Sequence, residues 1–301
     1  MSFARVAVIG LGLLGGSIGL AAAEHLPGCT TTGWDADPAV RRRAVERGLV
    51  GRVCESAAEA VARAELVILC VPVGAMGEAA RAIAGALAPG AIVSDVGSSK
   101  AAVGETLRAA LPGVCVIPAH PVAGTERSGP DAGFAQLFRH RWCILTPPAD
   151  ADPAAVARLS GFWRALGANV EIMDAGHHDL VLAVTSHIPH LIAYTIVGTA
   201  SDLEGVTESE VIKYSAGGFR DFTRIAASDP VMWRDVFLSN REAVLEMLGR
   251  FTEDLTALQR AIRERDGDKL FELFTRTRAI RRSIVEQGQD DARPDFGRAD
   301  H

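Results

Sequence analysis

The sequence predicts an α/β chain: a doubly wound, mostly parallel sheet over residues 1–173, then an all-helical region over 174–287 and a polar tail over 288–301. Two observations predict it. Short apolar, β-branched runs alternate with helix-forming runs through the first half. After Asp174 the strand signal stops while helical periodicity continues. The 301 residues are enough for two modest domains.

Arg5 to Ile9 reads as a short strand, and G-L-G-L-L-G follows at once from Gly10 to Gly15, leading into helix formers from Ser17 to Glu24. A G-x-G-x-x-G alone is weak evidence. Strand before and helix after give it the setting of a dinucleotide site, which makes this a Rossmann-type domain. Gly10 allows the tight turn, Gly12 lets the backbone approach a pyrophosphate, and Gly15 lets helix and strand pack. Leu13 and Leu14 fall on the same cofactor-facing turn, whose helix amides face the phosphates. A second strand, Thr30 to Trp34, ends at Asp35, twenty residues past Gly15. An acidic side chain there accepts hydrogen bonds from ribose hydroxyls and repels the extra phosphate of NADP. NAD is the expected cofactor, with Arg41, Arg42 and Arg43 read as a solvated helix face.

The alternation continues with helices over Ala57–Ala64, Gly77–Leu87, Ala101–Leu111 and Val156–Leu166. The strands between and after them are Leu66–Val71, Ala91–Val96, Val114–Ala119, Trp142–Thr146 and Val170–Met173. In open α/β sheets ligands sit outside the carboxyl ends of strands. Those ends carry Val71 and Pro72, Ser98 within D-V-G-S-S-K, and His120. Ser98 and Ser99 also suit a helix N-cap. His120, followed by Pro121, Thr125, Glu126 and Arg127, is placed either to do chemistry or to cap a strand end.

In the second half, Leu180 to Val197 is apolar almost all round, the pattern of a buried helix. Inside it, T-S-H-I-P-H places Pro189 where the helix must kink or lose hydrogen bonds. His187 and His190 stand three apart on one face. No third ligand accompanies them, so a pocket wall is expected and no metal. Arg220 and Arg224, four apart around Asp221, suit capture of a carboxylate or a surface ion pair. A long helix is expected from Pro230 into the 260s, with apolar Val244, Leu248, Phe251, Leu255, Leu258 and Ile262. A break at Asp266–Gly267 precedes a last helix carrying Leu270, Phe274, Thr277, Ile280 and Ile284. Such stripes must be buried somewhere, and a homodimer built on this half is the economical solution.

Composition excludes several classes. The net charge of −6 leaves no basic surplus to neutralise phosphates, so nucleic acid is not an expected partner. The five cysteines are widely spaced and form no C-x-x-C pair, which reads as reduced core residues of a cytoplasmic protein. Five glycines interrupt Val6–Ala23, which argues against a signal peptide or a membrane span.

Five stretches together resemble the prephenate and arogenate dehydrogenases of tyrosine biosynthesis. They are Gly10–Ser17, Asp95–Lys100, H-P-V-A-G-T-E-R-S-G (His120–Gly129), S-H-I-P-H (Ser186–His190) and F-R-D-F-T-R-I-A-A-S-D-P-V-M-W-R-D (Phe219–Asp235). The resemblance implies a Rossmann domain followed by an all-α dimerisation domain, and NAD-dependent oxidative decarboxylation of a cyclohexadienol bearing a ring carboxylate. It implies His120 as catalytic base assisted by Ser98, and His190 beside the substrate. Arg224 would sit on the ring carboxylate, with Glu126 and Arg220 as a charged gate. Thr125 and His187 are expected at the same pocket. The residues leave open whether prephenate or arogenate is used. With fewer than about twenty residues beyond the last helix, no sensing domain is expected there, so tyrosine, if inhibitory, would compete with substrate. Two other readings are a β-hydroxyacid dehydrogenase, whose inter-domain helix would carry a lysine that Leu180–Thr199 lacks, and a non-catalytic nicotinamide sensor.

Overall fold

The computed structural model describes residues 3–125, 127–207 and 217–286. They divide into two compact units, parted between Val244 and Leu245.

The first unit opens with β1 (Arg5–Ile9), α1 (Leu13–His25), β2 (Thr30–Trp34), α2 (Pro38–Arg47), β3 (Arg52–Val53), α3 (Ala57–Val61), β4 (Leu66–Leu69) and α4 (Met76–Ile83). It continues through β5 (Ile92–Asp95), α5 (Ala101–Ala110) and β6 (Cys115–Val116). These strands form one parallel sheet in the order β3-β2-β1-β4-β5-β6. Successive side chains of a strand face opposite sides, and both sides here are covered. Val6 and Val8 of β1 join Ile68 and Trp163 in one core, whereas Ala7 and Ile9 join Val67, Leu69 and Met76 in the other. The chain builds outwards in both directions from β1 and β4, and the crevice at their carboxyl ends is the topological switch point.

The strand expected over Val114–Ala119 is split. Ile117 donates its amide to the Val93 carbonyl of the large sheet at 2.9 Å, and the next residue, Pro118, accepts from the Thr146 amide at 2.9 Å. Pro118 has no N–H with which to continue the first ladder, so the chain changes sheets there. β7 (Ala119–Pro121) pairs antiparallel with β8 (Trp142–Leu145). β8 in turn pairs parallel with β9 (Asn169–Ile172) across from α6 (Pro153–Ala165). His120 therefore lies inside a strand of a second, three-stranded sheet, opposite Ile144, and not beyond a strand end.

The further helices described in this unit are α7 (Ala175–Leu182), α8 (Ile188–Thr207), α9 (Gly217–Thr223) and α10 (Pro230–Ser239). Between α7 and α8 the helix widens to a π turn over Ala183–His187, closed by the Ile188 amide on the Ala183 carbonyl. Pro189 offers no N–H and its ring crowds a regular helix, and the wider turn absorbs both faults. The apolar run is not buried all round as expected, since Val184, Ile196 and Val197 are exposed. By length and composition Ala175–Asp202 could cross a membrane. The helix expected from Pro230 into the 260s is two helices: α10 stops at Asn240 and α11 (Arg241–Glu264) follows.

In the second unit, α11 breaks before α12 (Gly267–Glu286) where the sequence places the break. The Asp266 carboxylate caps α12 by accepting the Lys269 amide at 3.0 Å. Of the predicted stripes, Leu255, Ile262, Phe274 and Ile280 are exposed, while Leu248, Phe251, Leu258 and Leu270 are half-buried and Val244 is buried. The tail expected over Gly288–His301 lies outside the described residues.

Candidate active site

At the crevice, Gly10 sits at φ +98°, and a Cβ on it would meet the Cys70 carbonyl oxygen at 2.4 Å. A Cβ on Gly15 would come within 1.9 Å of the Gly10 carbonyl oxygen. Gly12 is the opposite case. Nothing lies within 4 Å of where its Cβ would be, and no side chain caps the α1 amides that it introduces. An uncapped helix start beside open backbone is suited to a phosphate.

Asp35 accepts the Leu11 amide at 2.8 Å on one carboxylate oxygen and the Asp37 amide at 2.9 Å on the other. This fixes the carboxylate beside the glycine turn, with lone pairs left over for a ribose diol. Arg41 donates to the Asp35 and Ala36 carbonyls, and Arg43 pairs with Asp131 and Glu46. Arg42 and Arg43 are exposed, as on a solvated face, while Arg41 ties down the turn after β2 and Arg43 reaches Asp131. Leu13, Leu14 and Val71 are half-buried and Pro72 is exposed after β4. These residues fit a dinucleotide with free ribose hydroxyls.

His120, 7% exposed, places Nδ1 2.9 Å from Nε2 of the fully buried His178, whose own Nδ1 lies 2.8 Å from Asp179 Oδ1. Asp179 also accepts the Lys100 and Ala101 amides at 2.7 and 2.9 Å, capping α5. Lys100 is itself fully buried. It pairs with Asp95 and donates to the Ala119 carbonyl at 2.6 Å, one residue from His120. Asp95 in turn accepts the Gly97 and Ala119 amides at 2.7 and 3.2 Å.

A second run of contacts leaves the same dyad. Asn240 donates to the Asp179 carbonyl at 2.8 Å and to His187 Nδ1 at 3.1 Å. The break between α10 and α11 is what brings this amide inward. The buried His187 ring meets Trp233 edge-on at 6.0 Å, and Trp233 stacks on His190 with ring centres 3.6 Å apart. His190 donates Nδ1–H to the Ser186 carbonyl at 2.8 Å. His187 Nε2 is buried without a hydrogen bond, although the Ser98 backbone lies near enough to favour its charged form.

Of the residues singled out by sequence, the structure links His120, His187 and His190 into one network, and the Arg224 guanidinium acts on His190. Ser98 is half-buried, and its hydroxyl has no hydrogen bond among the described residues. The partner on His120 is His178, not Ser98. Thr125 and Arg220 are exposed, Thr125 accepting the Arg127 amide at 3.2 Å. Glu126 lies outside the described residues.

Lys100, His178, Asp179, Trp233 and Asn240 carry the network yet were not singled out. Lys100 and Trp233 sit in motifs that were noticed, while H-H-D at 177–179 is a local signal that sequence reasoning passed over.

Burial, reinforced by His178, Lys100 and His187, holds the His120 imidazole well below its ordinary value. Burial likewise lowers His178 and His190, and lowers His187 to about 4. For Asp179, burial pushes upward, but the bonds from His178 and the α5 amides outweigh it and the carboxyl ends lower. The sign for stability follows. Unfolded histidines titrate near 6.5, so below that pH the unfolded chain binds protons that the folded chain does not. Stability should fall as pH drops from about 6.5 towards 4, by up to about 1.4 kcal/mol per pH unit for each histidine kept neutral. Asp179 acts only below its unfolded value, outside most of that window. Urea midpoints at pH 7 and pH 5 test this, and equal midpoints would refute it.

The profile described as "Prephenate dehydrogenase, nucleotide-binding domain" matches residues 18–172, and "Prephenate dehydrogenase, dimerization domain" matches residues 174–276. The chain belongs to the prephenate dehydrogenase family. A cyclohexadienyl dehydrogenase of Zymomonas mobilis is 44% identical over 292 residues, 97% of this chain and 99% of that protein. Among solved structures, Aquifex aeolicus prephenate dehydrogenase in complex with hydroxyphenyl propionate and NAD+ is similar with a TM-score of 0.87 and 32% identity. That match covers 93% of this chain and 98% of the other. Synechocystis arogenate dehydrogenase gives a TM-score of 0.78 at 26% identity, covering 93% and 99%. Family membership decides against the β-hydroxyacid dehydrogenase reading, and the six-stranded Rossmann sheet followed by helices is this family's fold.

Proposed function

We propose that this prephenate-family dehydrogenase oxidises and decarboxylates a cyclohexadienol carrying a ring carboxylate, prephenate or arogenate or both, in tyrosine biosynthesis. The observation that carries the reading is the network that runs from a neutral, buried His120 through His178, Asp179 and Asn240 to His187 and, by ring contacts with Trp233, to His190. The exposed Arg224 cation helps to lower the pKa of the His190 imidazole. One end suits a proton acceptor and the other a carboxylate anchor. Gly10, Gly12, Leu13, Leu14, Gly15, Asp35, Val71, Pro72 and Ser98 would hold NAD, which would supply the acceptor for the hydride of the hydroxyl-bearing carbon. His120 takes the hydroxyl proton as the carbonyl forms. Arg224 holds the ring carboxylate until it leaves as carbon dioxide, and aromatisation makes the reaction irreversible. His190 and His187 wall the ring, with Thr125, Glu126 and Arg220 at the mouth.

The division of labour falls at residue 173/174, nucleotide before and helices after. The exposed apolar residues of α11 and α12 support a homodimer through the helical region. Five free cysteines support a reducing, cytoplasmic setting. Tyrosine, which resembles the product ring, would compete with substrate if it inhibits.

The test is NADH formation at 340 nm with NAD and prephenate or arogenate in parallel. Turnover with at least one is expected, and the ratio of the two kcat/KM values fixes the preferred substrate. No turnover with either, in protein that binds NAD, would refute the reading.

A further inference from the structure

His120 can act as a base only through a ring nitrogen that carries a lone pair and faces the reacting group. A neutral imidazole has one such nitrogen, and the bond made by the other decides which it is. The resemblance offers Ser98 as the partner of His120, but the ring nitrogen bonded here is Nδ1 and its partner is His178. The contacts of His178 and Asp179 make that choice.

Asp179 receives two backbone amides and the His178 ring, all within 2.9 Å. An ionised carboxylate only accepts, so His178 must present Nδ1–H to it. A neutral His178 then has its lone pair on Nε2, the atom 2.9 Å from His120 Nδ1. Two lone pairs cannot share that contact, so His120 must carry its proton on Nδ1. Its Nε2 is left bare.

We infer that His178 and Asp179 are positioning residues that set the tautomer of His120, leaving its Nε2 free to accept the substrate's hydroxyl proton. This rests on the reading of His120 as the base. When His120 takes that proton, its charge lies in line with the Asp179 carboxylate, two bonds along the chain. The α5 amides hold the carboxylate, so the order cannot reverse without uncapping that helix. Asn240 adds a further hold on the Asp179 backbone carbonyl.

The experiment compares wild type with H178L, H178Q and D179N in steady-state turnover and in ring-nitrogen NMR of histidine-labelled holoenzyme. Wild type should show His120 protonated on Nδ1 and bare on Nε2. H178L removes the acceptor and should lower kcat about 10–100-fold, the scale on which orienting partners act. Its KM for NAD should not change, because the loss is confined to the chemical step. H178Q offers a carbonyl where Nε2 stood and should recover most of that loss, which a merely space-filling role would not produce. D179N is expected to be worse, about 10³-fold or more. Its amide nitrogen either takes the Oδ1 place, donating to His178, reversing both tautomers and opposing the Lys100 amide, or takes the Oδ2 place and opposes the Ala101 amide.

Wild-type His120 protonated on Nε2, or H178L turning over like wild type, would overturn the inference, as would H178Q no better than H178L. The failures of the two readings separate. A fully active H120N would remove His120 as base, whereas the NMR assignment judges the tautomer without reference to turnover.

Discussion

Replacing His120 with asparagine is expected to lower kcat by about 10²–10⁴-fold, the usual contribution of a positioned general base. Asparagine is the informative substitution, because its amide can donate to His178 Nε2 as Nδ1–H does while offering nothing where Nε2 stood. Fold and cofactor affinity should survive. The Asp35 carboxylate that would hold NAD is bonded to the Leu11 and Asp37 amides, and among the described residues it shares no hydrogen bond with His120. Kinetics with saturating NAD, alongside a thermal melt, make the measurement. Burial keeps His120 neutral well below the ordinary histidine range, so wild-type turnover should decline on the acid side only far below pH 6.5. An asparagine variant with undiminished kcat would remove His120 from the base role.

The second large effect concerns stability. Lys100 and Asp95 are both fully buried, and the ammonium also holds the Ala119 carbonyl. Lys100→Met removes the cation and leaves Asp95 as an uncompensated buried charge, at a cost of about 3–5 kcal/mol. For a chain of this size each kcal/mol lowers Tm by about 2–4 °C, so a fall of roughly 10 °C is expected. Adding Asp95→Asn should return part of the loss, since the penalty is the stranded charge more than the missing bond. Calorimetry on both variants checks this. A single variant melting with the wild type would refute the stranded-charge account.

The parts of the molecule legible in the sequence are those specified within a few residues. The glycine turn and Asp35 belong to one β-α-β unit, and Gly15's need is local, to the Gly10 carbonyl, whereas the Cys70 carbonyl that crowds Gly10 comes from beyond β4 and left no mark near the motif. His120, His190 and Arg224 were legible through motifs. What joins them was not. His120 and His178 are 58 residues apart, and Asn240 and Asp179 are 61; no periodicity records such a meeting. The change of sheet at Pro118 was hidden because Val114–Ala119 has a strand's composition throughout, and one missing N–H redirects it. Apolarity over Leu180–Val197 predicted burial, but it measures only the wish for cover. Among the described residues that cover reaches Leu182, Ala183, Ile188 and Ala193 but not Val184, Ile196 or Val197.

The π turn at Ala183–His187 has a geometric effect on its flanks. His178 and His190 are twelve positions apart. In an uninterrupted α-helix, at about 100° per residue, their side chains would point about 120° apart. A turn that takes up one extra residue sets them as if about eleven positions separated them, which leaves only about 20°. The widened turn thus acts as a phase shift. It lets the histidine that orients His120 and the histidine stacked on Trp233 look out from the same side of one continuous helical rod.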